Sequence, residues 1–461
     1  LAPLETVGVA GSFRAAARAW TGFSAEVTDV TALTQHVLLS AFSRTAPAGV
    51  LAGLERCYSS DHADLCHEVF RTWLASEDRA SLLDVCVEVE GACKLEDRLA
   101  EAALPELLTM GVFPCVDAVI LRRLFSAVCD PSSSEDVLAA VGARRGLAWY
   151  EELSCYYGGV TQAARMRRFW REHPEGLAAM PAERVWEAYE QEWYQMDTWY
   201  RAFHQAFAGA IRSGEYELDE DFRVARAAME NLYKGWFLRM LSERWAKAAE
   251  AELASQGYVS GVPRQQDFFM SEVEGLAQGK RRAWVIVSDA LRYEVATELA
   301  DVLERETKGS AELASAQATL PSITKCGMPA LLPHGSFSLG RGQAGGKTVL
   351  SVLVDGVEAT TCAKRQEVVR RTHPSGVAVT YDDFVNGMGR AERKELVGEA
   401  DVVYVYHNAI DATGDKAATE RKVFDACADA VEEISGLVKL IVREFRATDV
   451  LVTADHGFLY T

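Results

Sequence analysis

The sequence predicts an α/β fold, a parallel sheet with flanking helices, preceded by a large all-α region. Three observations predict it. From about residue 11 to 275, Pro and Gly are sparse and apolar residues recur at steps of three and four. After Gly279 short β-type runs alternate with amphipathic stretches, the pattern of a parallel sheet covered on both faces. Several of those runs lead into Asp or His at their carboxyl ends.

The helical region is clearest after Pro181, a good first-turn residue. Trp186, Tyr189, Trp193, Met196, Tyr200, Phe203 and Phe207 follow in alternating steps of three and four, one long stripe that must bury against something. Such a stripe reads as core, not as a cofactor box. A second long helix is expected from about Asp221 to Ala254, carrying Met229, Leu232, Trp236 and Met240. Asp130-Pro131-Ser132-Ser133-Ser134 marks a weak break, and the Gly- and Pro-containing stretch from Gly257 to Gly279 a stronger one. The expected segments are therefore residues 1–135, 136–279 and 280–461. In the last, Ala283–Val287, Thr348–Val354, Val402–Tyr406 and Asp449–Thr453 read as strands. A helix with Val295, Leu299 and Val302 follows the first, and one running from Phe424 through Cys427, Val431, Ile434, Val438 and Ile441 to Phe445 precedes the last. There is no internal repeat and no low-complexity tract.

A chain of 461 residues has room for about three domains. With 49% hydrophobic and 25% charged residues it is an ordinary globular sequence, which excludes a disordered protein. The net charge of -19 argues against a whole-molecule field that attracts nucleic acid. No apolar run approaches the roughly 18 residues that span a bilayer, and the start has no signal-peptide pattern. The expectation is a cytoplasmic protein without a membrane partner, its ten Cys reduced. The sequence, which lacks an initiator Met, reads as a fragment or a processed form, cut at both ends.

Chemistry gathers at the strand ends. The first strand leads into Ser288-Asp289, the third into His407 with Asp411 shortly after, and the last into Asp455-His456-Gly457. In a parallel sheet the carboxyl ends share one rim, where ligands bind. Asp289, Asp411, Asp415, Asp455 and His456 would then bring four carboxylates and an imidazole into one cleft. That density of negative charge requires cations, and an oxygen-rich site with a His suits a divalent metal. Asp411 and Asp415, four apart, would share one helix face. Nearby, Pro321-Ser322-Ile323-Thr324-Lys325 resembles a strand-to-helix connection, and a hydroxyl there could serve as a nucleophile on phosphorus beside a metal. Each piece alone has a plainer reading as a helix cap or turn; their convergence on one rim favours the functional one.

These residues resemble a known family. Val-Ile-Val-Ser-Asp289-Ala-Leu-Arg-Tyr-Glu294, Thr-Leu-Pro-Ser-Ile-Thr324-Lys, Tyr-His407-Asn-Ala-Ile-Asp411-Ala-Thr-Gly-Asp415-Lys and Thr-Ala-Asp455-His456-Gly-Phe-Leu-Tyr460 resemble the PglZ domain of the alkaline phosphatase superfamily. Trp149-Tyr-Glu-Glu152 with Tyr156-Tyr157, and Glu187-Ala-Tyr-Glu190 leading to Tyr194 and Phe203, resemble the long form found in type 1 BREX bacteriophage-defence systems. The resemblance implies an alkaline-phosphatase-like sheet and a metal-dependent phosphohydrolase cleaving a phosphomonoester or phosphodiester. Its partners would be other BREX subunits, with nucleic acid as a further option. It implies Thr324 as nucleophile, with Ser322 the second choice, and Asp289, Asp455 and His456 as ligands of the metal shared with that nucleophile. Asp411 would open a second metal site, and Asn408 or Lys325 would contact phosphate. The superfamily usually has His where Asp415 stands, which favours Mn²⁺ or Mg²⁺ over Zn²⁺. Its last His ligand would lie beyond Thr461, so the expected domain is C-terminally incomplete, with one full metal site and part of another. The rival reading is a non-catalytic scaffold of the defence complex, built on the helical region.

Other strings are set aside. Gly342-Gln-Ala-Gly-Gly-Lys347-Thr348 lacks phosphate-loop spacing and precedes a strand, so a flexible loop is expected there. Cys57, His62, Cys66 and His67 lack finger spacing. His373-Pro374 reads as a turn and Asp382-Asp383 as a helix start.

Overall fold

The computed structural model describes residues 2–24, 30–47, 49–213, 218–278, 281–344, 347–414 and 422–460. The chain divides into two compact units: residues 1–174 with 202–233, and residues 175–201 with 234–461. The bounds of these units differ from those of the three segments expected: residues 175–201 and 234–278 belong to the unit that holds the sheet.

The first unit is helical. Phe42 meets Phe113 edge to face, and Phe70 meets Trp149, in a core built from separate helices. Within it Arg144 and Asp117 are fully buried and paired at 2.6 Å, and Tyr157 Oη donates to the same carboxylate. Buried charges survive only when paired in this way.

The second unit holds the sheet. Strands β1 (Ala283–Ser288), β4 (Val377–Thr380), β5 (Val402–His407) and β6 (Val450–Ala454) run parallel in the order β4-β5-β1-β6. β1 and β5 are buried at every position, which is why both read as unbroken apolar runs. Val285, Val287, Tyr404 and Tyr406 join Met328, Leu331 and Val369 in the core on one face. The helix Val423–Phe445 packs against Tyr293–Glu306 and buries Cys427, Val431, Ile434, Val438 and Ile441, the expected stripe.

Three expectations are corrected. The run Thr348–Val354 does not join the parallel sheet. As β3 (Lys347–Val354) it pairs antiparallel with β2 (Phe337–Ala344) in a separate two-stranded sheet. The two runs lie two residues apart in sequence, and only antiparallel pairing suits so short a connection. Gly342, Gln343 and Ala344, expected in a flexible loop, are part of β2. The two long helices are also not continuous α-helices: π-helical turns interrupt them at Tyr189–Trp193 and Asn231–Leu238. Trp193, Met196, Tyr200 and Phe203 are buried, whereas Trp186, Tyr189 and Phe207 are half-buried. Strand β4, short and at the sheet edge, had no sequence signal strong enough to be read. Among the described residues no helix is long and apolar enough to cross a membrane.

Candidate functional site

The register of the sheet sets the site. Ser288 lies beside His407 on β5 and beside Ala454 on β6, so Asp289 leaves the central strand level with Asp455. Asp289 N–H donates to His407 O at 2.8 Å, which carries the β-ladder one residue further. The next residue, Ala290, adopts a left-handed backbone with φ of 64°, a strained conformation for a residue with a Cβ. That turn lets Ala290 N–H donate to Asp455 Oδ1 at 3.1 Å.

Four of the expected residues meet. His456 Nε2 lies 3.5 Å from Asp289 Oδ1 and 3.6 Å from Asp455 Oδ2. Thr324 Oγ1 is 2.9 Å from His456 Nε2 and donates to Asp289 Oδ1 at 3.3 Å. One ligand atom from each of Asp289, Asp455 and His456 falls within 4.8 Å of the others. His456 Nδ1 sits 3.0 Å from Gly457 O. A carbonyl oxygen only accepts, so Nδ1–H is the donor to it, and Nε2 is the ring nitrogen turned to Thr324 and the carboxylates, the one a metal would take.

The electrostatics fit a cation. Asp455 is fully buried; its Oδ1 accepts from Ala290 N–H and His456 N–H, but its Oδ2 has no hydrogen-bond partner among the described residues. An unpaired buried carboxylate oxygen costs several kcal/mol on the order-of-magnitude scale of buried ions. Burial, and then the nearby charges of Asp455 and Asp411, push the acid dissociation of Asp289 up to about 8. A divalent ion among the three side chains would meet both needs, with the O,O,N donor set such ions accept.

The other expected residues are placed less centrally. Asp411 lies on the short helix Ala409–Gly414, half-buried, and reaches Asp289 by its charge. Asp415 lies outside the described residues. Asn408 is exposed at the end of β5, and its backbone oxygen accepts from Ala412 N–H. Lys325 Nζ lies 3.8 Å from Glu358 Oε1. Ser322 is exposed, two residues before the helix that Thr324 opens.

What holds Thr324 against the Asp-His pair was not read from the sequence. A Cβ added to Gly327 would lie 2.0 Å from Asp455 O, so the helix Thr324–Ala330 can approach β6 this closely only with glycine there. Gly327→Ala should therefore separate Thr324 from the Asp-His pair and destabilise the fold by about 1–3 kcal/mol; a variant as stable and as well packed by thermal melting would contradict this. Gln265, buried, donates to Ala454 O at 3.0 Å and to Asp455 O at 2.6 Å, and accepts from Thr319 N–H at 3.0 Å. It ties the end of β6 to the segment leading to Thr324. Gln265→Glu would set a carboxylate against two carbonyl oxygens. An expected loss of about 1–3 kcal/mol is measurable by denaturant unfolding, and an unchanged midpoint would remove this role. Farther along, Tyr460 Oη donates to Glu294 Oε1 at 2.6 Å, and Arg292 lies 4.1 Å from the Tyr460 ring while pairing with Asp197 at 2.8 Å. Glu294 also receives Arg201 at 2.9 Å. These polar residues, spread over the chain, carry no local pattern that marks them as one cluster.

Comparison with known proteins follows this geometry. Residues 268–461 match the family model described as the BREX system PglZ alkaline phosphatase-like domain. The chain is 30% identical over 389 residues to the alkaline phosphatase-like protein PglZ of Bacillus cereus (strain H3081.97), a match covering 84% of this chain and 44% of that protein. It is 32% identical over 401 residues to the alkaline phosphatase-like protein BrxZ of Escherichia coli O9:H4 (strain HS), covering 84% of this chain and 45% of that protein. The chain thus spans less than half the length of these curated relatives. No solved structure matches it.

Proposed function

The chain belongs to the PglZ family of BREX alkaline phosphatase-like proteins, and on that premise we propose that its C-terminal domain is a metal-dependent phosphohydrolase acting on a phosphomonoester or phosphodiester. The observation that carries this reading is the buried Oδ2 of Asp455, without a hydrogen bond among the described residues and 3.6 Å from His456 Nε2, beside the Thr324 hydroxyl. Asp289, Asp455 and His456 would hold a divalent ion, Zn²⁺ or Mn²⁺/Mg²⁺, with Asp411 and Asp415 available to a second. Such an ion supplies Lewis-acid charge to phosphoryl oxygens and to the nucleophile.

The chain's own groups do the rest. Thr324 Oγ1 bonds to phosphorus as the bond to the ester's alcohol oxygen breaks, and the proton of the Thr324 hydroxyl ends on that departing oxygen. Water then cleaves the phospho-threonine, releasing phosphate (or a phosphomonoester, from a diester) and restoring the hydroxyl. Gln265 and Gly327 keep the hydroxyl in line with the carboxylates. The protein works, in this reading, with other subunits of a BREX defence system in the cytoplasm. Assays of 4-nitrophenyl phosphate and bis(4-nitrophenyl) phosphate with added Mn²⁺ or Zn²⁺, on this chain and on a full-length protein containing it, test the activity. Hydrolysis that a chelator leaves untouched, or none in either protein with either ion, would remove the reading and favour a scaffold.

A further inference from the structure

His456 belongs to a second feature as well, a cavity of about 600 Å³ in the same unit. Its volume lies in the range of small-molecule sites. Its wall contains Trp186, Trp245, Tyr189, Tyr293, Phe268 and Phe458. We propose that this cavity binds a planar aromatic group bearing an N–H donor. Resting on the phosphohydrolase reading above, that group is the organic side of the ester cleaved at Thr324.

The aromatic rings are held in place without a ligand. Trp186 Nε1 donates to Ser315 Oγ at 2.6 Å, and Trp186 lies 5.6 Å from Trp245, the two planes inclined at 50°. Both pack against the buried Ala182, Ala249, Val259 and Val262. A flat ring can therefore stack in the cavity with little further ordering of side chains. An aliphatic group of the same size gains burial but no stacking.

The polar part of the wall selects the donor. Among the charged residues lining the cavity, Asp197 and Arg292 pair with each other at 2.8 Å. The Glu190 side chain has no ion pair or hydrogen bond among the described residues, and an ionised carboxylate only accepts. It enters the wall beside Tyr189 through the π-helical turn Tyr189–Trp193. Such turns insert a residue into a helix and are frequent at functional sites. The link to the chemistry is short: His456 lines the cavity, and its Nε2 is 2.9 Å from the nucleophile Thr324.

Calorimetric titration of the metal-free chain with indole, 1-methylindole and cyclohexanol tests the pocket without any hydrolysis. Indole should bind about tenfold more tightly than cyclohexanol, and about fivefold more tightly than 1-methylindole. Trp245→Ala should remove the first preference and Glu190→Ala the second, each variant being checked for native circular dichroism. Because Glu190 is half-buried on the wall, its replacement tests the pocket even where loss of Trp245 unfolds the chain. With Mn²⁺ present, 2-(indol-3-yl)ethyl phosphate should show a KM about tenfold below that of 2-cyclohexylethyl phosphate, whose leaving group is equivalent. Indole binding no tighter than cyclohexanol, or unaffected by both substitutions, overturns the proposal. The same holds if the two esters are hydrolysed with equal KM. Indole binding with the expected preferences but no hydrolysis of either ester supports the pocket and removes the hydrolase reading instead.

Discussion

Thr324→Ala is expected to abolish ester hydrolysis, on the order of 10⁴-fold or more in kcat, as removal of a nucleophile does in other covalent mechanisms. The side chain is half-buried and opens a short helix, so alanine leaves the fold intact while removing a hydroxyl in contact with both Asp289 and His456. Thr324→Ser, which keeps the hydroxyl, should retain most of the rate. A phosphoprotein trapped during turnover should carry its label at position 324. Full turnover by Thr324→Ala would overturn the assignment of Thr324, and loss of activity in Ser322→Ala together with that result would move the role to Ser322.

Asp455→Ala is expected to remove cation binding, and with it the stabilisation a cation confers. A ligand at a hundred times its Kd adds about 2.7 kcal/mol to a native state, so Mn²⁺ or Zn²⁺ should raise the melting temperature of the wild type and not of the variant. The metal-free protein should show a pH signature. The Asp289 carboxyl, which in an unfolded chain ionises near 4, is held up to about 8 by burial and then by the charges of Asp455 and Asp411. Between those two values the folded state keeps a proton that the unfolded state has lost. Stability therefore falls as pH rises from about 4 to about 8 and levels off above. Asp455→Asn, which removes the neighbouring like charge, should flatten that slope and make the metal-free protein more stable at pH 8. Thermal melts in chelator at pH 5, 7 and 9 check both; a slope of opposite sign, or one unchanged in Asp455→Asn, would contradict the assigned cause.

Much of this architecture was legible because buried parallel strands write themselves as continuous apolar runs. Ala283–Val287 and Val402–Tyr406 are of that kind, and their carboxyl ends named Asp289 and the Asp-His pair as neighbours before any coordinates. The pairing partner of Thr348–Val354 was not legible, since a strand's own sequence does not say whether it joins a nearby strand or a distant sheet. The π-helical turns were hidden because the three-four recurrence of Trp186 to Phe207 looks the same with one residue more in a turn. Gln265 and Gly327 were missed for another reason. Their importance lies in backbone groups of Ala454 and Asp455 some 130 to 190 residues away in the chain, and a lone Gln or Gly announces no such contact.

The central position of β1 fixes when the site can come into being. Thr324 lies 132 residues from His456, and Ala290 lies 165 from Asp455, so the contacts that build the centre are among the most distant in the domain. Closing such loops is entropically slow, and strands paired across long crossovers form late. During synthesis the polypeptide up to β5 can hold Asp289 and Thr324 but no Asp-His pair. Metal affinity should therefore appear only once β6 has docked, which makes ion uptake a kinetic marker for the docking of that strand.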